Sequence, residues 1–333
     1  MGIEKSFLAI NGMGRIGRCL FRLLYQQGRL NEIVAIADLM SKENLIYLLK
    51  YDSIRGAFPT SIEASEAGIL IDGHQIYYNH GDQLPIWSDM GVDVVIEATG
   101  HFTTIERASE HLRSGAKKVL LTTFSFDIPV FVWGVNRPGT KLSEGLISPG
   151  DCTINSVAPV LQTIHDEFLV QSVHINVIQG YTTRQELLDK PYKGFRRGRA
   201  AAHAIIPFEV NITPILEHIF PDLQNRIESM STRVPLPCGA FAQVSIVTQK
   251  PCSKELVNKI FERKAQGSLQ GVTTITYDPI VSADIIGNSN SGVIDGLLTE
   301  VTNKHHVRLA VWFDNEWGYV NRLLDWINWW TQK

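Results

Sequence analysis

The sequence predicts an α/β protein in two parts: a doubly wound, mostly parallel sheet, then an α+β region built on a mixed or antiparallel sheet. Three observations predict it. Short, continuously apolar runs alternate with helical patterns as far as Thr123. A glycine-rich turn joins the first such run to the first helix. After Leu169 the strands lengthen and alternate apolar with polar residues, the pattern of a sheet with one covered face.

Phe7-Leu8-Ala9-Ile10 is the first strand. It runs into Asn11-Gly12-Met13-Gly14-Arg15-Ile16-Gly17-Arg18, and Leu20, Phe21, Leu23 and Leu24 mark the helix that follows. Strand, G-x-G-x-x-G and helix stand in the order that dinucleotide binding requires. Gly12 allows the tight turn, Gly14 lets a pyrophosphate reach the backbone, and Gly17 lets helix and strand pack closely. Ile33 to Ala37 forms a second strand ending at Asp38, about 20 residues after Gly17, where an acid accepts hydrogen bonds from an adenosine ribose. The carboxylate would repel a 2′-phosphate, so the cofactor expected is NAD rather than NADP. The first part therefore reads as a Rossmann dinucleotide-binding domain over residues 1–151.

Pro59 to Trp87, with Gly73 and Gly81 among polar residues, reads as a hairpin excursion from the sheet. Asp93 to Gly100 and Lys118 to Thr123 are two further parallel strands around a helix from Ile105 to Ser114. Ligands lie beyond the carboxyl ends of such strands, which makes Thr99, Gly100 and Thr122 candidates for cofactor contact.

Ile147-Ser148-Pro149-Gly150-Asp151-Cys152 is a turn opening a helix, with Val157, Leu161, Ile164 and Phe168 at helical spacing. Asp151 is placed as N-cap and Cys152 in the first turn, where unpaired backbone N–H groups favour a thiolate. Position alone leaves two readings open, an activated nucleophile or the small buried residue that a free cysteine often is. Val170 to Ile178, Ala242 to Val247 and Arg308 to Phe313 are long alternating strands. The polar, cationic stretch from Thr182 to Ala204 between the first two is too long for a simple connector and reads as an ordered functional or interface loop. A catalytic domain is expected over 152–316. The apolar helix near the end, with Leu323, Leu324, Trp326, Ile327 and Trp330, is expected to pack back on the dinucleotide-binding domain as a 317–333 segment.

Composition bounds the partners. The chain has 333 residues, 44% hydrophobic and 20% charged, which is an ordinary soluble composition with room for two domains. A net charge of −3 supplies no basic field, so nucleic acid is not an expected partner. No apolar stretch reaches the length of a membrane span, and no signal-peptide architecture opens the chain. The four cysteines show neither a CxxC pair nor zinc spacing, so no metal is expected and a reducing, cytoplasmic compartment is.

Across essentially its whole length the chain resembles the phosphorylating glyceraldehyde-3-phosphate dehydrogenase family. The resemblance rests on Ile10 to Arg18, Leu49-Lys50-Tyr51-Asp52-Ser53, Glu97-Ala98-Thr99-Gly100, Asp151-Cys152-Thr153-Ile154-Asn155, Thr232-Arg233-Val234-Pro235 and Phe313-Asp314-Asn315-Glu316-Trp317-Gly318-Tyr319. Ile219 to Arg226 is also similar to the erythrose-4-phosphate dehydrogenase branch. The resemblance implies that a Cys152 thiolate attacks an aldehyde, that hydride passes to NAD, and that the thioester is cleaved by phosphate or, in the erythrose-4-phosphate branch, by water. It implies that Thr182 and Arg233 hold a phosphate, the latter through a bidentate guanidinium; Asp151 and Thr153, on either side of Cys152, are further candidates for the substrate or anion site. Asn315 matches the residue that orients the nicotinamide amide, and Tyr319 completes that motif. A homotetramer follows too, with the Thr182 to Ala204 loop reaching an adjacent subunit's cofactor site.

The departures from the family fall on the chemistry. Where it has His-x-Tyr-Thr, this chain has Gln179-Gly180-Tyr181-Thr182. An amide donates and accepts hydrogen bonds but takes no proton near neutral pH, and a positioned base contributes about 10²–10⁴-fold. Asp151 replaces a hydroxyl residue, which disfavours thiolate and repels phosphate. Ile205-Ile206-Pro207-Phe208-Glu209-Val210-Asn211 lacks the family's Thr-Gly pair, and Arg184 stands where a smaller polar or acidic residue is common. His165, His174 and His203 are the remaining imidazoles to consider as bases. The function expected is NAD-dependent oxidation of a sugar aldehyde, with a catalytically weak NAD-binding homologue as the alternative.

Overall fold

A computed structural model describes residues 6–137, 145–183, 185–208 and 212–331. Arg184 and the altered Glu209, Val210 and Asn211 lie outside the described residues. Those described divide into two compact units. One holds residues 6–131, 145–151 and 320–331; the other holds Val132–Arg137 and Cys152–Tyr319.

The first unit carries an eight-stranded sheet. In chain order its elements are β1 (Leu8–Asn11), α1 (Arg15–Gln26), β2 (Ile33–Asp38), α2 (Lys42–Lys50), β3 (Glu63–Ala64), β4 (Gly68–Ile71), β5 (His74–His80), β6 (Val94–Glu97), α3 (Ile105–Arg113), β7 (Lys118–Leu121) and β8 (Leu146–Ile147). The spatial order is β8-β7-β6-β1-β2-β5-β4-β3. Central strands covered on both faces must be apolar throughout, and Leu8, Ile10, Ile36, Ile96 and Leu120 have no exposed surface. Ile10 lies in parallel register with Ile36 on one side and Ile96 on the other.

The hairpin differs from its expected place. It is no excursion: β5 pairs in parallel with β2, and β4 then turns back antiparallel, so the two extend the main sheet. Its polar alternation follows from lying near the sheet's edge, where one face meets water. The segment Val132–Arg137 also departs from the 1–151 block, because Gly134 lies against Leu269 and Val272 in the second unit.

The second unit begins with α4 (Cys152–Phe168) and β9 (Val170–Gly180). There follow β10 (Ile206–Phe208), α5 (Thr213–Ile219), β11 (Ile227–Val234), β12 (Ala240–Thr248), α6 (Lys254–Ala265), β13 (Thr273–Thr276), β14 (Gly292–Asp295), β15 (Glu300–Thr302) and β16 (His306–Phe313). The sheet runs β10-β11-β9-β12-β16-β14-β13, with β15 added on β16. It is mixed: β9 and β11 are parallel, as are β13 and β14, and the other pairings are antiparallel. Period-2 alternation buries Val173, Ile175 and Val177 of β9 with Ala242, Val244 and Ile246 of β12 on one face. Helix α4 packs against β9, β12 and β16.

The final helix α7 (Trp317–Thr331) is shared. Its first turn belongs to the second unit, and from Val320 it belongs to the first. There Arg29 donates to Asn328 Oδ1 at 2.7 Å, and Lys118 Nζ donates to the Trp330 carbonyl at 2.6 Å.

Candidate active site

In the first unit the glycines do what backbone geometry requires of them. Gly12 has φ +99°, and a Cβ there would lie 2.7 Å from Thr99 N. A Cβ on Gly17 would sit 2.1 Å from the Gly12 carbonyl oxygen. Gly14 instead faces open space, with nothing within 4 Å of its ideal Cβ. It is also the N-cap of α1, offers no side-chain cap, and no acid stands in the first turn. Contrast α2 and α3, whose N-caps Ser41 and Thr104 accept from their own helix backbones. A helix start without a side-chain cap, with its positive dipole end, favours an external anion. That is the fit NAD's pyrophosphate requires.

Asp38 ends β2 and is oriented by backbone. Its Oδ2 accepts from Met13 N at 2.5 Å and its Oδ1 from Met40 N at 2.9 Å. Further lone pairs remain for ribose hydroxyls. The Arg15 side chain is turned to Asp52, at 2.5 Å. Burial alone would raise the Asp52 pKa, but the Arg15 guanidinium and the N–H groups of Arg55 and Ile54 outweigh it and hold it at about 2.

Thr99, Gly100 and Thr122 follow the ends of β6 and β7. Buried Glu97, a feature the sequence reading missed, holds Thr99 through its side chain and Thr122 N through its backbone carbonyl. Glu97 Oε2 accepts from Asn11 Nδ2 at 2.6 Å and meets His111 Nε2 at 3.0 Å; Oε1 accepts from Thr99 N at 2.8 Å and from the Thr99 hydroxyl. Trp87 Nε1 donates to His111 Nδ1 at 3.1 Å, so the His111 proton sits on Nε2. The strand ends beside the glycine turn are thus locked by one saturated carboxylate.

In the second unit Cys152 is the first residue of α4 and half-buried; Thr153 follows it, buried. Asp151 precedes Cys152 in the chain and is the last residue of its segment in the first unit. Gln179 is buried near the end of β9. Its Nε2 donates to Ser231 Oγ at 3.4 Å. In-register pairing places Gln179 beside Arg233 on β11 and Ala240 on β12, on the face of β9 that also carries Val177. Gly180 is needed at the next position, because a Cβ would lie 2.3 Å from the Leu236 carbonyl oxygen.

Arg233 donates from Nη1 to the Gly180 carbonyl at 3.0 Å. Its guanidinium carbon stands 5.0 Å from the centre of the Phe208 ring, and that of Arg197 stands 4.2 Å from the same ring. One phenyl ring therefore lies within cation–π range of two guanidiniums. Phe208 ↔ Ser231 and Ile206 ↔ Arg233 pairing puts this ring on the Gln179 face. Thr182 is fixed by Gln185, whose Oε1 accepts from Thr182 N at 2.7 Å and Oγ1 at 3.0 Å.

Asn315 and Tyr319 flank the start of α7. Asn315 Oδ1 accepts from Gly239 N at 2.9 Å and from Cys238 Sγ at 3.5 Å. Tyr319 is buried. Neither Arg197, Phe208 nor Cys238 was singled out from sequence as a site residue; the ring and thiol act through contacts between segments distant in the chain.

The three alternative imidazoles are placed away from this face or occupied. His174 points to the opposite face of β9, exposed, with Glu228 at 3.5 Å. His165 Nδ1 accepts from Val170 N at 3.2 Å at the far end of α4. His203 is exposed in the loop before β10.

A nucleotide cradle with an acid at the second strand, on a chain whose other unit opens a helix with a cysteine, defines the class: an NAD-dependent oxidoreductase acting on an aldehyde. The chain belongs to the glyceraldehyde-3-phosphate dehydrogenase family. Residues 7–105 match the family's NAD binding domain and residues 151–315 its C-terminal domain. Glyceraldehyde-3-phosphate dehydrogenase of Thermotoga maritima is 39% identical over 324 residues, covering 96% of this chain and 97% of its own. Glyceraldehyde-3-phosphate dehydrogenase 2 of Streptomyces avermitilis is 38% identical over 96% of both chains, and the Borreliella burgdorferi protein is 36% identical over 96% of this chain and 97% of its own. Among the described residues no helix is long and apolar enough to cross a membrane.

Proposed function

We propose that the chain oxidises a phosphorylated sugar aldehyde through a thioester on Cys152, with a proton-transfer step limited by Gln179. NAD, when bound, supplies the hydride acceptor. Gly12, Gly14 and Gly17 with the N–H groups of Arg15 and Ile16 hold its pyrophosphate, and Asp38 its adenosine ribose. Thr99, Gly100 and Thr122 line the strand ends, and Asn315 and Tyr319 face the nicotinamide side. Cys152 Sγ forms the bond to the aldehyde carbon. Gln179 Nε2 can donate to the developing oxyanion but cannot take the hydroxyl proton. Thr182 and Arg233 hold the substrate phosphate, while Asp151 and Thr153 flank the thiol in sequence.

The observation that carries the reading is the register of Gln179 with Arg233. It supports the reading because it pairs Gln179 with Arg233 on neighbouring strands, with both side chains on one face. A cytoplasmic homotetramer, with the loop from Thr182 to Ala204 reaching a neighbouring subunit, accompanies the reading. Small aldehydes are the expected partners, not nucleic acid or membrane.

The test is rapid-mixing NADH formation with phosphorylated and unphosphorylated aldehydes, with mass spectrometry of the trapped acyl-enzyme. The expected result is a slow burst that needs the phosphate group, an acyl adduct on Cys152, and loss of both in Cys152→Ser. NAD binding without NADH formation from any aldehyde between pH 6 and 9 would instead favour a binding or regulatory homologue, the reading that the buried amide of Gln179 also supports.

A further inference from the structure

We propose that Cys238 is a positioning residue for the cofactor: its thiol, with the Gly239 N–H, fixes the side-chain amide of Asn315. The proposal rests on the reading of Asn315 as the residue that faces the nicotinamide. A backbone N–H can only donate, so the atom of Asn315 that meets Gly239 N at 2.9 Å is the oxygen. Cys238 Sγ donates to the same oxygen at 3.5 Å. With two donors on Oδ1, a flip of the amide would set Nδ2 against two hydrogens. Nδ2 is therefore held on the opposite side, as a donor for a carboxamide oxygen.

The rest of the surroundings restrict the residue as firmly. Asp314 is buried and its carboxylate is used by backbone: Oδ1 accepts from Glu316 N at 2.9 Å and Trp317 N at 2.8 Å, and Oδ2 from Gly287 N at 2.8 Å. These bonds cap α7 and hold the main chain on both sides of Asn315. Cys238 Sγ also lies 3.6 Å from Asp314 Oδ1, but that oxygen already has two backbone donors. Cys238, Asp314 and Glu316 lie close together, and the three backbone donors on Asp314 commit its carboxylate to capping the helix and holding Gly287. Asp314 and Glu316 are buried while Asn315 is only half-buried, so the fixed amide lies at the open edge of a rigid turn.

Gly239 links this turn to the rest of the face. Its φ is +96°, and its carbonyl accepts from Gly180 N at 3.2 Å, one residue from Gln179. A single residue thus ties the end of β9 to Asn315, and Cys238 supplies the second hold on the amide.

The test compares binding of NAD and of ADP-ribose, which lacks the nicotinamide, to the full chain by isothermal titration. In Cys238→Ala, NAD affinity should fall about 5- to 10-fold, the loss of one hydrogen-bond constraint, while ADP-ribose affinity stays unchanged. Cys238→Ser keeps a donor and should retain most of the NAD affinity. Asn315→Ala reports on the underlying reading and should lower NAD affinity at least as much. If Asn315→Ala lowers NAD affinity but Cys238→Ala does not, the role of Cys238 is overturned. Equal losses for both ligands in Cys238→Ala also overturn it, since they mark a merely structural thiol. No change in Asn315→Ala would overturn the nicotinamide reading itself.

Discussion

Gln179 stands in parallel register with Arg233, and the Arg233 guanidinium donates to the carbonyl of Gly180, the next residue along, at 3.0 Å. The end of β9 at Gln179 and Gly180 and the Arg233 side chain are therefore one structural piece. A change at either is transmitted through a backbone carbonyl and a shared sheet face, and the Phe208 ring stands 5.0 Å from the guanidinium carbon.

Arg233→Lys should raise KM for a phosphorylated aldehyde about 10- to 100-fold, because a point charge replaces a two-pronged donor. Phe208→Ala should raise it less, about 3- to 10-fold, since each cation–π contact contributes about 0.5–1 kcal/mol at a partly exposed site. NAD affinity measured by titration should be unchanged in both. Equal KM values for phosphorylated and unphosphorylated aldehydes in the wild type would remove Arg233 from the substrate site.

Asp38 should set cofactor choice. Its carboxylate is presented rigidly by Met13 N and Met40 N, and a 2′-phosphate would meet that negative charge. Asp38→Ala should narrow the preference for NAD over NADP by about 10-fold or more, on the scale of a charged hydrogen bond. Wild-type protein that binds the two cofactors equally would refute this role.

Acid should loosen the first unit through Asp52. In the unfolded chain its carboxyl takes a proton near pH 3.9; folded and paired with Arg15 it stays ionised down to about 2. A depressed pKa contributes stability that is complete above about pH 4 and is lost as pH falls from about 4 to about 2. Urea unfolding midpoints should drop over that window more in wild type than in Asp52→Asn, which lacks the titrating group. Parallel curves for the two proteins would show that Asp52 contributes nothing to acid stability.

Local features were legible in the sequence. Gly12, Gly14, Gly17 and Asp38 are read from spacing because the chemistry of one turn and one strand end dictates it. Cys152 could be set at a helix start because the turn before it and the apolar spacing after it are both short-range. What sequence reading missed was made by distant segments. The parallel pairing of β5 beside β2 depends on an edge being free, which no local pattern announces. The Phe208 ring between Arg197 and Arg233, the thiol of Cys238 on Asn315, and the Arg15 side chain turned to Asp52 each join residues on separate elements. Their residue types were ordinary where they stood. The departure at Gln179 was also legible, because Tyr181-Thr182 marks the place of the family's His-x-Tyr-Thr motif.

The most direct test is the single-turnover rate of NADH formation in Gln179→His against wild type, followed from pH 6 to pH 9. Without a base, attack depends on the thiolate fraction of a cysteine whose free pKa is about 8.5, so the wild-type rate should be slow and should climb with pH. Restoring the imidazole should speed the burst by about 10²-fold or more at pH 7 and flatten the pH dependence. A wild-type rate as fast at pH 6 as at pH 9, or a Gln179→His rate equal to wild type on every aldehyde tried, would contradict the account and assign the activation of Cys152 to another group.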